Sequence, residues 1–266
     1  MSGERRRAAL AQNLFASDAP ARTLVRLDGV AGGDTVYDLG AGTGRVTAAL
    51  LAAGARVVAV ERDANLARKV AARFAGAPVR VVEADLTRVS LRSPFKVVAN
   101  LPFNVTAAAL RRLLAEDPAP ISATLVLQRE AARRYAGLPR ASALSLAAAP
   151  WFELVVSEPF RRSDFVPAPA VDVAVLHIVR RRAPWLPISE RADWASFLRW
   201  AFARPPPDAL RLFRPLLSGL QWRRLSADLA IAPDARRDEL TPAQWLGLYR
   251  FSRSCTPERR RRGVFG

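Results

Sequence analysis

Several residue types that carry chemistry are nearly missing. The chain has one cysteine, Cys255, and one histidine, His177. A single cysteine allows no internal disulfide, so a stapled secreted scaffold is excluded and a reducing compartment fits. A single histidine excludes multi-histidine zinc sites and any scheme that needs two imidazoles. A Ser-His-Asp arrangement could run only through His177. No run of apolar residues is long enough for a membrane. The most apolar stretch, 141–156, is broken by Pro150 and carries Glu153, whereas a span needs about 20 apolar residues. The start is basic like a signal sequence, but the apolar run behind it is short and holds Gln12 and Asn13. An Arg-rich leader is not expected either, because a motif described below begins at Gln12.

Lysine is also scarce. Of 41 basic residues only Lys69 and Lys96 are lysines, which leaves 39 arginines. Against 24 acidic residues the net charge is +17. Charge spread over solvated faces for solubility is the plainer reading, but such surfaces are usually nearer balance. The excess points to a polyanion: RNA, DNA or an anionic membrane surface. Arginine presents a planar fork to phosphate and stacks on bases, whereas lysine is a point charge. A GC-rich codon bias would favour arginine equally. Half of the 266 residues are hydrophobic, which is a globular composition of a length that suits one large and one small domain.

Residues 5–183 read as alternating strands and helices. Strands are expected at Thr35–Leu39, Arg56–Val60, Val79–Val82, Val97–Asn100, Thr124–Leu127 and Val171–Ile178. Helices are expected at 47–53, 64–74, 106–114 and 129–136. Near-continuous apolar strands alternating with helices predict an α/β fold with a parallel sheet covered on both faces. After Arg180-Arg181-Arg182-Ala183-Pro184 the character changes. Ser189 is placed as the cap of a helix with Trp194, Phe197, Leu198 and Ala201 inward. Asp208 caps a second helix with Leu212, Phe213, Leu216 and Leu217 inward, and Thr241-Pro242-Ala243-Gln244 carries a capping box. The domains expected are therefore 1–183, a small helical domain at 184–250, and a basic tail at 251–266 that ends in Arg259–Arg262.

The first strand runs into Asp38-Leu39-Gly40-Ala41-Gly42-Thr43-Gly44. Glycines at alternate positions let the backbone turn tightly and lie against a ligand with no Cβ between. A dinucleotide fingerprint would be G-x-G-x-x-G. Here the spacing is G-x-G-x-G with an acid two residues ahead, which is the loop of S-adenosylmethionine-dependent methyltransferases. Glu61 ends the second strand, 21 residues after Gly40. An acid there matches vicinal ribose hydroxyls, against the alternative of an ordinary surface glutamate. Asp85, after the third strand, suits an adenine amino group. Its alternative role as a turn cap is stronger.

The fourth strand ends in Asn100-Leu101-Pro102-Phe103. This set suits methylation of a planar exocyclic amine. The lone pair of adenine N6 is delocalised into the ring and is a poor nucleophile. Two acceptors, the Asn100 amide oxygen and the Leu101 carbonyl, would hold its two N–H bonds and favour a localised lone pair. Pro102 fixes the backbone, and Phe103 offers a face to a flipped-out base. Orientation and preorganised acceptors carry the reaction, and no strong base is required. The alternative is a strand-end turn with a proline.

With these motifs in this order the chain resembles the ribosomal RNA adenine N6-methyltransferases. That family joins the Erm-type macrolide-resistance enzymes to the small-subunit dimethyladenosine transferases. Gln12-Asn13-Leu14-Phe15 and Phe165-Val166-Pro167-Ala168-Pro169-Ala170-Val171-Asp172 complete the resemblance. It implies a Rossmann-like methyltransferase sheet with S-adenosylmethionine as cofactor. Asn13 and Phe15 would lie beside that cofactor. Gly40 and Gly42 would meet its methionine end, Glu61 its ribose and Asp85 its adenine. Asn100, Leu101 and Phe103 would form the reaction centre, and Asn100 would also touch the cofactor. Phe165 would be the second wall of a base sandwich, although from the residues alone it reads as a core aromatic. The chain departs from the usual pattern in three places. Phe103 stands where tyrosine is common, Asp38 where glutamate is more frequent, and Leu14-Phe15 inverts an aromatic-aliphatic order.

What the resemblance implies is N6-methylation of one adenine in 23S rRNA and macrolide-type resistance. A 16S rRNA dimethyltransferase shares every catalytic motif, and a non-catalytic RNA-binding protein on the same scaffold is a third reading. Arg111, Arg112, Arg133, Arg134, Arg161 and Arg162 are the expected phosphate contacts. A cytoplasmic monomer acting on nascent or naked rRNA, with no metal, completes the expectation.

Overall fold

In the computed structural model, residues 13–115, 117–203, 208–255 and 264 are described. Gln12, which opens the first motif, and the Arg259–Arg262 run lie outside them. The strands are β1 (Leu14–Phe15), β2 (Thr35–Leu39), β3 (Arg56–Glu61), β4 (Val79–Glu83), β5 (Lys96–Asn100), β6 (Ser122–Gln128), β7 (Phe152–Ser157), β8 (Phe165–Val166) and β9 (Val173–Arg180). Seven of them form one sheet in the order β4-β3-β2-β5-β6-β9-β7. The pairs from β4 across to β6 are parallel. The expected parallel sheet is present from β4 to β6, and β9 joins it antiparallel to β6. A parallel return needs a long crossover, usually a helix. Between β7 and β9 the chain has only a 3-10 turn and the two-residue β8.

The central strands are apolar because both faces are covered. All but the last residue of β6 are buried, as is every residue of β2 after Thr35. The edge strand β4 instead exposes Arg80 and Glu83, which protects an open edge from further pairing. The helices of this part are α1 (Asp18–Asp28), α2 (Arg45–Ala52), α3 (Ala64–Arg73), α4 (Thr106–Ala115) and α5 (Arg129–Ala136). The chain winds outward from β2 to β4, then crosses to β5 on the other side of β2. The strand order reverses between β2 and β5, and ligands of open α/β sheets bind outside the carboxyl ends at such a switch point. Gly40–Gly44 and Asn100–Phe103 follow the carboxyl ends of these two neighbouring strands.

The chain divides into two compact units. One runs to Arg133 and takes in Glu153–Arg180. The other joins Arg134–Phe152 to the described residues from Arg181 on. The second unit thus includes a segment well ahead of residue 184. It contains α6 (Ala143–Ala148), α7 (Arg191–Phe202), α8 (Ala209–Phe213), α9 (Gly219–Asp228) and α10 (Pro242–Cys255). Trp194, Phe197, Leu198 and Ala201 are all buried along α7, as their spacing predicts. Phe197 lies at the centre of an aromatic cluster. Trp194, Trp245, Tyr249 and Phe213 have ring centroids 5.4–6.0 Å from it.

The expected caps are partly realised. Asp208 accepts from the Arg211 amide at 2.8 Å. Thr241 and Gln244 exchange side-chain-to-backbone bonds of 3.2 and 2.9 Å. Ser189 does not cap α7. It sits inside a 3-10 turn, Ile188–Glu190, and Glu190 precedes the helix. Pro187 precedes that turn, and the helix begins one residue later than a Ser189 cap would place it. Gly247 lies inside α10 because a Cβ there would come 2.4 Å from Leu229 Cδ2.

Candidate active site

The glycine loop is shaped by its neighbours on every side. Gly40, Gly42 and Gly44 all have positive φ, a region that other residues rarely enter. The Gly40 and Ala41 amides donate to the Val60 carbonyl at 2.8 and 3.0 Å, which ties the loop to β3. A Cβ on Gly40 would stand 3.3 Å from Pro102, and one on Gly42 would stand 2.7 Å from Leu14. The loop therefore packs directly under both the Asn100–Phe103 turn and the N-terminal strand.

Glu61 is 2% exposed, not a surface glutamate. One carboxylate oxygen accepts from the Gly42 amide and the other from the Asp63 amide, each at 2.8 Å. A carboxylate has about four lone-pair sites, so each oxygen keeps one for a ribose hydroxyl. Asp38 is buried beneath the loop and accepts from the Thr47 hydroxyl at 2.7 Å. Its other oxygen is buried with no partner among the described residues. Burial, with the Glu61 charge adding to it, pushes the Asp38 carboxyl up to about 7.

Asp85 behaves first as a turn cap. Its Oδ1 accepts from both the amide and the hydroxyl of Thr87, at 2.8 and 2.6 Å. These two bonds lower its carboxyl below the ordinary value. The other oxygen is 4.0 Å from Arg62 and has no stronger partner among the described residues. Arg112 holds the same turn by donating to the carbonyls of Thr87, at 3.2 Å, and Val89. The arginine expected to meet phosphate thus serves as a clamp on the turn that carries Asp85.

At the end of β5, the Asn100 Nδ2 donates to the main-chain carbonyl of Asn13 at 2.7 Å. A carbonyl only accepts, so the amide nitrogen must face Asn13 and Oδ1 must turn the other way. Pro102 has φ −58° and starts the 3-10 turn Phe103–Val105. Leu101 is buried and Phe103 is half-buried. A base with two amine hydrogens would find Oδ1 as acceptor and Phe103 as neighbouring ring.

The N-terminal strand and the Phe165 segment form one ribbon. Leu14 pairs with Val166 and Phe15 with Phe165, and the Ala16 amide donates to the Asp164 carbonyl at 2.7 Å. The Phe15 and Phe165 rings stack at 5.1 Å, with Phe160 edge-on to Phe15 at 5.4 Å. Phe165 is 2% exposed and Phe15 4%. The structure thus gives Phe165 the core-aromatic place that its residues alone suggest. Leu14 lies against Gly42 of the glycine loop, and Phe15 shares a core cluster with Ala41. The inverted Leu14-Phe15 order is the sequence signal for Leu14, whereas nothing in the sequence marked Phe160 or the Asn13 carbonyl.

The other arginines divide. Arg162 donates to the Pro169 carbonyl at 2.8 Å and so braces the Pro-rich loop. Arg133 lies 4.0 Å from Glu158. Arg111, Arg134 and Arg161 are exposed. His177 is 2.8 Å from the Ser157 hydroxyl and 3.4 Å from that of Thr124. Among the described residues no carboxylate touches it directly, and burial holds its imidazole below the ordinary value.

These residues fit S-adenosylmethionine. The alternate glycines hold a tightly turned loop in backbone angles and close approaches that a Cβ would not allow. Glu61 is held as an oriented acceptor, and Asp85 keeps one oxygen outward. Among the described residues no group of histidine, cysteine and carboxylate side chains could hold a metal, and no helix is long and apolar enough to cross a membrane.

A family model described as "Ribosomal RNA adenine dimethylase" matches residues 5–253. The mycinamicin-resistance protein MyrB of Micromonospora griseorubida is 34% identical over 222 residues, covering 82% of this chain and 70% of MyrB. The ribosomal RNA small subunit methyltransferase A of a Synechococcus strain is 32% identical, covering 84% and 82%. The crystal structure of the 23S rRNA methyltransferase ErmE superposes with a TM-score of 0.81 at 26% identity, covering 90% of this chain and 98% of ErmE. A dimethyladenosine transferase from Plasmodium falciparum shares the fold at a TM-score of 0.74 and 19% identity. The chain belongs to the ribosomal RNA adenine dimethylase family and is an S-adenosylmethionine-dependent rRNA adenine-N6-methyltransferase.

Proposed function

We propose that this protein methylates N6 of one adenine in 23S rRNA and so confers macrolide-type resistance. The observation that carries the chemistry is the Asn100 amide, oriented by the Asn13 carbonyl. Bound S-adenosylmethionine supplies an electrophilic methyl on a sulfonium. The chain's own part is to hold and orient the amine. Asn100 Oδ1 and the Leu101 carbonyl accept the two N–H bonds, which draws the lone pair out of conjugation. Phe103 stacks on the base and fixes its plane. Preorganised acceptors need no rearrangement when charge develops. The amine proton then leaves after transfer, without a buried general base.

Support for the large-subunit target comes from the likeness to the 23S rRNA methyltransferase ErmE, and support for resistance from the likeness to the mycinamicin-resistance protein MyrB. Arg111, Arg133, Arg161 and Arg162 in the first unit, and Arg134 where the second unit begins, are the candidates for phosphate contact, and 184–250 is the RNA-binding helical domain. The substrate is nascent or naked rRNA and the enzyme acts as a cytoplasmic monomer. A small-subunit target is the second reading, favoured by the likeness to the Synechococcus protein. Incubating the purified protein with labelled S-adenosylmethionine and separate 23S and 16S transcripts decides between them. Label in 23S supports the proposal, and label confined to 16S replaces it.

A further inference from the structure

The second unit holds a cleft of about 400 Å3 between the 185–190 turn and the last turns of α10. Trp185, Leu186, Pro187, Glu190, Arg250 and Arg253 line it. Trp185 is half-exposed, and the Arg181 guanidinium lies 3.9 Å from the centroid of its indole. Arg181 is held there by donating to the Ala149 carbonyl at 2.9 Å. Arg250 donates to the Trp185 carbonyl at 2.6 Å, which brings a second guanidinium to the same residue.

The charges in the cleft are not balanced. Arg253 takes up both nearby carboxylates, with Glu190 at 2.5 Å and Asp193 at 3.1 Å. The Tyr249 hydroxyl also donates to Glu190, at 2.9 Å. Arg181, on the indole, and Arg250, in the lining, have no carboxylate partner among the described residues. A half-exposed indole beside two arginines that lack a carboxylate partner among the described residues does not suit an apolar ligand. It suits an anion that carries a flat ring. Base stacking on an aromatic ring tolerates any sequence, because every base has a π-face, and guanidinium groups bind the phosphates between bases.

We propose that this cleft binds one unpaired nucleotide of the RNA substrate, with its base stacked on Trp185 and its phosphate on Arg250. The site lies outside the methyl-transfer centre and extends the reading that the substrate is rRNA. It would hold an unpaired nucleotide of the RNA other than the target adenine. Its contribution is to affinity and register, not to chemistry.

The test uses the full chain and a single-stranded oligoribonucleotide, with binding read by fluorescence anisotropy. Trp185→Ala should weaken binding about 5- to 100-fold, Trp185→Phe should restore most of it, and S-adenosylmethionine affinity should not change. Arg250→Gln, on the surface, should lower the slope of log affinity against log salt by about one. Crosslinks from 4-thiouridine in the RNA should map to residues 185–190. Unchanged RNA affinity in Trp185→Ala and Arg250→Gln, or crosslinks only elsewhere, would overturn the proposal. So would preferential capture of an acidic peptide over RNA. The outcomes separate from those of the preceding section. A protein that methylates 23S rRNA equally well and binds RNA equally tightly with Trp185→Ala refutes the cleft alone. A protein that binds RNA through the cleft yet methylates neither rRNA refutes the functional reading alone.

Discussion

The side chain of Asn100 is held by the main-chain carbonyl of Asn13, 87 residues earlier, through a 2.7 Å hydrogen bond. The bond settles which end of the amide faces the substrate. With Nδ2 engaged, Oδ1 is the acceptor offered to an exocyclic amine. Asn100→Ala should reduce single-turnover methyl transfer at least 100-fold, with cofactor affinity and melting temperature nearly unchanged. Asn100→Asp should fail as well, because a carboxylate repels the Asn13 carbonyl and loses its fixed orientation. An undiminished rate in either variant would contradict the role given to this amide.

Phe103 and Phe165 should respond differently to truncation. Phe103 is half-buried, whereas Phe165 is 2% exposed and stacked on Phe15. Phe103→Ala should lower the rate more than the cofactor affinity and cost little stability. Phe165→Ala should lower stability by about 3–5 kcal/mol, visible as an early thermal transition. If Phe165→Ala melts normally and loses only rate, the ring meets the base and not the core.

Gly42 tests the cradle. An alanine there would need φ +56° and would bring its Cβ 2.7 Å from Leu14 Cδ2. Gly42→Ala should weaken S-adenosylmethionine binding about tenfold or more by calorimetry. Adding Leu14→Ala should recover part of the loss by removing the clash, while the backbone strain remains. No recovery would mean that Leu14 does not press on the loop in solution.

The buried Asp38 makes a pH-dependent prediction. Its carboxyl is pushed up to about 7 from an ordinary 3.8. The folded state therefore holds this proton more tightly than the unfolded chain does. Between about pH 4 and 7, stability from this group falls as pH rises, and above 7 the charged carboxylate carries the full burial cost. Asp38→Asn stays neutral throughout. Its melting temperature relative to the parent should climb as pH goes from 5 to 8. A constant difference over that range would mean that Asp38 is already ionised at pH 5.

Much of the site was legible because its chemistry is contiguous in the chain. Asp38–Gly44 and Asn100–Phe103 each carry their roles within a few residues, and Glu61 sits at a spacing set by one βαβ unit. The clamp on Asn100 was not legible, since it uses a backbone carbonyl that every residue owns. The β1–β8 ribbon was also hidden. Periodicity needs at least four residues to register, and each strand has two. Arg111 and Arg112 are adjacent, yet Arg111 is exposed and Arg112 braces the 87–89 turn. Only the fold decides which of two like side chains meets a carbonyl.

The most direct test of the whole account is mass spectrometry of rRNA from a macrolide-sensitive bacterium that expresses this chain. The account predicts N6-methylation at one adenine of 23S rRNA together with macrolide resistance, both lost with Asn100→Ala. Unmodified 23S rRNA, with a methylated 16S rRNA and no resistance, would contradict it.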